Sequence, residues 1–197
     1  MKAIILSSIL ITSSVNLKLT KIDLFADDRP LMDYHEEFDQ VKIPPRTTNI
    51  AKMITALRPK FSKQKKYQLA SKIQKISKEY KLEPQIIVAI IDAESEFDQN
   101  KISDTGDLSL AQINPDVWNE EFKRLNLEEL DIERLKTDTD YSLKMMGKIL
   151  SHLKKNYGHK DRKWYARYHS KNKKYKEIYL SKLNHRLKKM RPAHYVL

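Results

Sequence analysis

Pro84-Gln85-Ile86-Ile87-Val88-Ala89-Ile90-Ile91-Asp92-Ala93-Glu94 is the stretch that decides the fold. Pro84 suits the first turn of a helix, where its missing N–H would have no partner anyway. Every residue from Ile86 to Ile91 is apolar. A helix that is greasy on all sides belongs in the middle of a domain, wrapped by other elements. Upstream, Leu69, Ile73, Ile76 and Tyr80 recur at spacings of four, three and four with lysines on the other faces, which predicts an amphipathic helix. Downstream, Asp98, Asn100, Ser103, Asp104 and Gly106 make residues 98–107 a turn-rich loop. Helical periodicity returns from Ile132 to Leu153, anchored by Leu135, Tyr141, Leu143, Met146, Ile149, Leu150 and Leu153. A final helix is expected over about Tyr175 to Met190. The expectation is a mainly α protein built around a buried central helix.

Composition agrees. A chain of 197 residues allows one compact domain with extensions. Three glycines are too few for the turns of a β sandwich or barrel, or for a Gly-rich phosphate loop or dinucleotide fingerprint. The absence of cysteine excludes disulfides, thiolate zinc sites, Fe–S clusters and a cysteine nucleophile.

Met1-Lys2 followed by the apolar run Ala3–Ile11 has the make-up of an export signal. It is too short for a membrane span of about 20 residues, and Lys18 and Lys21 interrupt its continuation. A buried N-terminal helix or strand is the competing reading. Residues 1–26 are accordingly read as a signal peptide or hydrophobic segment, and the chain as exported to the periplasm or cell envelope. Residues 27–60, carrying Pro30, Pro44, Pro45 and Pro59, read as a linker or irregular lead-in. The domain proper is expected over 61–190, with 191–197 as a tail.

The net charge is +12, and it is localised. Residues 151–197 hold 15 Lys and Arg against Asp161 and Glu177, so the first 150 residues are close to neutral. A basic quarter of this kind suits a polyanion, whether a wall polymer, an anionic membrane face or nucleic acid, and equally a solvated helical face. The interleaved Tyr157, Trp164, Tyr168, Tyr175 and Tyr179 are the features that favour nucleic acid. The lack of a recognised binding motif argues against it.

Three acids fall within five residues at the end of the central helix: Asp92, Glu94 and Glu96. Advancing 100° per residue, Ile90, Ile91 and Glu94 lie within about 60° of Ile87, while Asp92 takes the flank and Glu96 the opposite side. Glu94 is therefore the acid expected to face the core. An apolar face disfavours a carboxylate's charged form, and a protonated carboxylic acid is what glycosidic cleavage needs. The alternative is a helix that ends just before Glu94 and leaves it solvated.

The next residues are Glu94-Ser95-Glu96-Phe97, Ser103, Gly106 and Leu110-Ala111-Gln112-Ile113-Asn114-Pro115. This block resembles the lytic transglycosylases with the goose-type lysozyme fold, the SLT family. Their signature runs E-S-x-F, a Ser nine residues after the Glu, then G-[A or D]-x-G-L-x-Q-I-[N or M]-P. Ser103 lies nine residues after Glu94 and Gln112 eighteen after. Asp107 with Ile113-Asn114 looks closest to the small members that accompany secretion and conjugation machines. Ala166-Arg167-Tyr168-His169-Ser170 is similar to that subgroup's A-x-Y-H-S segment, where other members carry A-Y-N-A-G, and Tyr179-Leu180-Ser181-Lys182-Leu183 fits its continuation. The resemblance covers about Lys72 to Leu187. It departs at Ser109, where the family has Gly, and at Ala111, where Met is common; the Ser109 departure also motivates a catalytically inactive member.

The resemblance implies a lysozyme-like helical fold and cleavage of the β-1,4 bond between N-acetylmuramic acid and N-acetylglucosamine with a single carboxylic acid, Glu94, closing a 1,6-anhydro product. A hydrolytic muramidase of the same fold is the runner-up, with Asp98, Asp104 or Asp107 as a second carboxylate. By residue-to-residue match, Ser103 would bond near the N-acetyl group, Gln112 and Asn114 would line the cleft, and Tyr168 would orient Glu94 through its hydroxyl. Tyr168 reads equally as a core aromatic. His169 reads as a cleft-edge or satisfied polar residue, since no partner stands at metal-ligand spacing. Trp118, Trp164 and Tyr165 suit packing better than sugar stacking, and Met145-Met146 suits the core. No cofactor or metal is implied. Peptidoglycan strands are the expected partner of a monomer with no stable membrane span, with secretion or conjugation machinery as a second partner.

Overall fold

The computed structural model describes residues 44–194 apart from Lys171. The expectations for residues 1–43, the export signal among them, lie outside the described residues. Seven α-helices and one 3-10 segment make up the described chain, and apart from two isolated bridges it contains no strand pairing. The fold is mainly α, as expected.

At the centre stands α3, Pro84–Glu94, with Pro84 in its first turn. Ile87, Val88, Ala89, Ile90 and Ile91 are each at most 1% exposed. Burial of one such isoleucine stabilises the fold by about 2 kcal/mol, and the run achieves it because α1, α2 and α7 all pack against this helix. The amphipathic segment upstream is α2, Lys63–Glu79, which buries Leu69, Ala70, Ile73 and Ile76. The Ser62 hydroxyl caps its start by accepting from the Lys65 N–H at 3.2 Å.

Two expectations need correction. Residues 45–57 are not an irregular lead-in but helix α1, Pro45–Leu57, whose Ile50, Met53, Ile54 and Leu57 are buried against α2, α3 and α7. Pro45 is its first residue, so the prolines taken for breakers mark its start. The helical stretch over Ile132–Leu153 is two helices, α5 (Ile132–Thr137) and α6 (Thr139–Tyr157). They meet at Asp138, which closes α5 and caps α6 by accepting from the Tyr141 N–H at 3.0 Å. Helix α4, Pro115–Arg124, starts behind the capping residue Asn114. The 3-10 segment Trp164–Tyr168 packs on α6 and α7, and α7, Lys173–His194, closes the bundle over α1 and α3.

Close approach of α2 and α6 depends on Gly147. A Cβ there would lie 2.4 Å from Tyr80 Cδ2 and 2.8 Å from Ile76 Cγ2, so a larger residue has no room between the helices. Met145 and Met146 are core, as expected.

Candidate active site

Glu94 is the last residue of α3, with Ser95 as its C-cap. The helix thus reaches the acid and stops there. Beyond it Glu96 and Phe97 take left-handed backbone, at φ 60° and 66°, and reverse the chain. Phe97 returns to the core edge-to-face on Phe61 at 6.1 Å. The three acids sort differently from the helical projection. Asp92 is the deepest, at 3% exposure, where Arg58 from the segment after α1 and Arg186 of α7 both pair with it, Arg186 Nε at 2.7 Å. Glu96 is exposed and also pairs with Arg58. The projection assumed one core-facing side, whereas α3 has neighbours all round, and two guanidiniums make the Asp92 position tolerable for a charge.

The Glu94 side chain keeps 12% of its surface. Its Oε1 is fully buried and has no hydrogen-bond partner among the described residues. A buried carboxylate oxygen without a donor is costly.

The loop after α3 is fastened to the end of that helix by side chains. Lys101 Nζ donates to the Glu94 carbonyl at 2.6 Å. Ser95 Oγ donates to the Leu110 carbonyl at 2.7 Å. Gln99 Nε2 donates to the Leu135 carbonyl at 2.8 Å, tying the loop to α5. A tight reversal comes next, in which the Leu108 and Ile113 backbones exchange hydrogen bonds at 2.9 and 3.0 Å around a turn closed by Gln112 N–H on the Ser109 carbonyl.

This turn absorbs much of the motif. Ser109, which stands where the family has glycine, is 1% exposed with φ at 69°. The position does require left-handed backbone, and serine occupies it with its hydroxyl accepting from the Ala111 N–H at 3.3 Å. Gln112, also left-handed at φ 47°, donates through Nε2 to the carbonyls of Lys101, Asp107 and Ser109 at 3.0, 3.3 and 2.9 Å. Asn114 caps α4 through Oδ1 and donates through Nδ2 to the Thr105 carbonyl at 2.9 Å. The resemblance made these two cleft-lining residues; their amides are bonded to backbone, so they shape the wall from behind. Ser103 Oγ likewise bonds within its loop, donating to Asp107 Oδ2 at 2.8 Å.

Tyr168 is buried on the other side, and its hydroxyl donates to the Ala111 carbonyl at 2.7 Å. Its single proton is thereby committed to the 109–112 turn, and the phenol stands close enough to Glu94 to feel its charge. Burial first, then the charges of Glu94 and Asp107, holds this phenol well above the usual range, so Tyr168 stays neutral.

Two residues of the 3-10 segment's exit and α7 face the carboxylate directly. His169 Nδ1 lies 3.7 Å from Glu94 Oε1. That is ion-pair range, too long for a hydrogen bond. Pairing with Glu94 is the main cause that raises His169 above its ordinary value; burial and the charge of Lys182 oppose it. The imidazole stacks on Tyr179, ring centres 4.6 Å apart and planes 16° from parallel. The Tyr179 hydroxyl is buried without a hydrogen-bond partner among the described residues. Burial, then its nearness to the Glu94 carboxylate, pushes it well above the usual range. Tyr179 and Glu94 Oε1 are thus two buried polar groups without hydrogen-bond partners among the described residues, near enough for the carboxylate to act on the phenol. Sequence reading placed Tyr179 in the motif and among the aromatics suited to nucleic acid; the structure puts it on the inward face of α7, with Leu180, Leu183 and Met190.

Among the described residues no cluster of His, Asp and Glu could hold a metal ion. No described helix is long and apolar enough to cross a membrane. Trp164 is core, and Trp118 and Tyr165 are half-buried against it.

The bundle thus presents one partly open acid at the end of a buried helix, beside a left-handed turn. The transglycosylase SLT domain model matches residues 71–185, and the chain belongs to that family. None of the curated proteins matches the chain. Peptidoglycan is the substrate of this family.

Proposed function

We propose that the protein is a lytic transglycosylase in which Glu94 is the only acid and base of the reaction. Glu94 gives its proton to the oxygen leaving toward N-acetylglucosamine as the β-1,4 bond to the muramyl C1 breaks. As carboxylate it then takes the proton of the muramyl C6 hydroxyl, whose oxygen closes on C1 to give the 1,6-anhydro ring. No water is consumed, and Glu94 ends the cycle protonated as it began. The observation that carries this reading is the buried, donor-free Glu94 Oε1 on a side chain that still reaches the surface. Ser103 serves near the N-acetyl group, and the wall shaped by Gln112, Asn114 and Tyr168 holds the sugar against Glu94.

Hydrolysis is the second reading, favoured by Asp107, whose charge reaches both Tyr168 and His169 beside Glu94. A carboxylate there would activate water, as in two-carboxylate glycosidases. The subgroup suggested by Asp107 and Ile113-Asn114 assigns the enzyme to secretion or conjugation machinery at the cell envelope, and the basic C-terminal quarter to an anionic surface there.

The test is mass spectrometry of soluble products from purified sacculi, wild type beside Glu94→Gln. Anhydro-muramyl ends from the wild type, and at least a thousandfold loss in a folded Glu94→Gln, are expected. Reducing muramyl ends would establish hydrolysis, and undiminished digestion by Glu94→Gln would sink the acid assignment.

A further inference from the structure

We propose that His169 and Glu94 share one proton, His169 Nδ1 storing the proton that Glu94 delivers to the glycosidic oxygen. This goes one step past the general-acid reading above and rests on it.

A lone general acid must be protonated at the working pH and yet remain reachable by a large substrate. Glu94 sits at the very end of α3 with part of its side chain open. The structure sets an imidazole beside it. His169 Nδ1 is 3.7 Å from Oε1, the one buried atom of Glu94 that no donor satisfies. The imidazole is half-exposed and stacks on the Tyr179 ring, which holds it beside the carboxylate at ion-pair range. Imidazole is the side chain whose charge changes near neutral pH.

The groups around His169 favour this arrangement on balance. Glu94 at the end of α3 and Asp107 in the following loop favour the imidazolium. Lys182, one turn beyond Tyr179 on α7, opposes it. Tyr179 and Tyr168 carry no charge at neutral pH, since burial keeps both phenols protonated. The pair therefore holds a single proton over a pH range in which an isolated carboxylate would be bare.

The proton balance is simple. With substrate seated and water displaced, the proton passes from Nδ1 to Oε1, leaving neutral imidazole beside neutral acid. Glu94 then protonates the leaving oxygen as the C1–O bond breaks, and regains a proton from the C6 hydroxyl. Return of that proton to His169 resets the pair, and nothing is taken from solvent. His169 acts through Glu94 and is a positioning residue, not a catalytic one.

Two measurements test this on the full chain. The first tracks the His169 ring nitrogens by NMR against pH in the wild type and in Glu94→Gln. Titration above about 6.5 in the wild type, falling by half a unit or more in Glu94→Gln, is expected. The second compares kcat and KM on sacculi against pH for wild type and His169→Asn. The alkaline limb of kcat should move to lower pH by about one unit, a roughly fivefold loss at its former midpoint, with KM within twofold. An unchanged His169 titration in Glu94→Gln overturns the pair, and so do coincident pH profiles for wild type and His169→Asn. If either occurs while Glu94→Gln has lost activity, the acid assignment stands without the shared proton. If Glu94→Gln digests sacculi normally, both fall.

Discussion

Ser109 carries a cost that the fold accepts. A non-glycine residue in left-handed backbone costs about 1 kcal/mol or more, and here it is fully enclosed. Its hydroxyl recovers part of this by capping the Ala111 N–H. Ser109→Gly should therefore change stability by no more than about 1 kcal/mol and keep the turn. Ser109→Val, with a branched Cβ and no acceptor, should cost about 2–3 kcal/mol. Urea unfolding of the two variants against wild type separates these outcomes, and a Val variant as stable as wild type would mean the turn is not held as described. The cost of serine at this position is thus a matter of backbone energy. At this scale the residues after Glu94 were more legible than its face, since the projection did not foresee that Asp92 would be the deeper acid. The partner of the Tyr168 hydroxyl was not legible, because a one-dimensional pattern does not tell which oxygen a hydroxyl meets, and Ala111 lies 57 residues away from it.

Among the elements, the junction at Asp138 decides how α5 and α6 meet. Its carboxylate lies below the usual range, first because it accepts from the Tyr141 N–H and then because Arg134 pairs with it. A group so depressed adds stability that is complete above its unfolded value, near 3.8, and is lost as pH falls through the lower folded value. Asp138→Ala should cost about 1 kcal/mol at neutral pH, a gap that closes on acidification to about pH 2. Asp138→Asn, still a good cap, should lose less. Thermal melts at both pH values check the sign; a gap that widens in acid would contradict it. This junction also shows what periodicity conceals, since the apolar anchors run on through Asp138 as though one helix continued. Helix α1 was missed for the opposite reason. Its paired prolines look like punctuation, yet the first is the cap residue and the second is the opening residue. Helix α3 needed no such subtlety, because six successive apolar residues have one solution in a small helical domain.

For the molecule as a whole, the arginine clamp on Asp92 matters most. Arg58 comes directly after α1, Asp92 belongs to α3 and Arg186 to α7, so one carboxylate joins three helices that are far apart in sequence. Removing its charge would leave Arg186, about four-fifths enclosed, facing no anion, and Arg58 with only the exposed Glu96. Asp92→Asn should destabilise the fold by about 3 kcal/mol, read as a lower urea midpoint with an unchanged slope. A midpoint equal to wild type would show that the clamp contributes nothing net. Glu94 stands two residues along the same helix, so the clamp also fixes where the acid emerges.

Arg58 precedes the stretch that defines the family, residues 71–185, and Arg186 lies one position past its end. An excised piece cut to those borders would retain the aspartate and discard both of its counter-ions, together with the lid that α1 lays over the isoleucines. The smallest self-sufficient unit of this chain accordingly begins near Pro45 and ends no earlier than Met190, wider on both flanks than kinship alone would suggest.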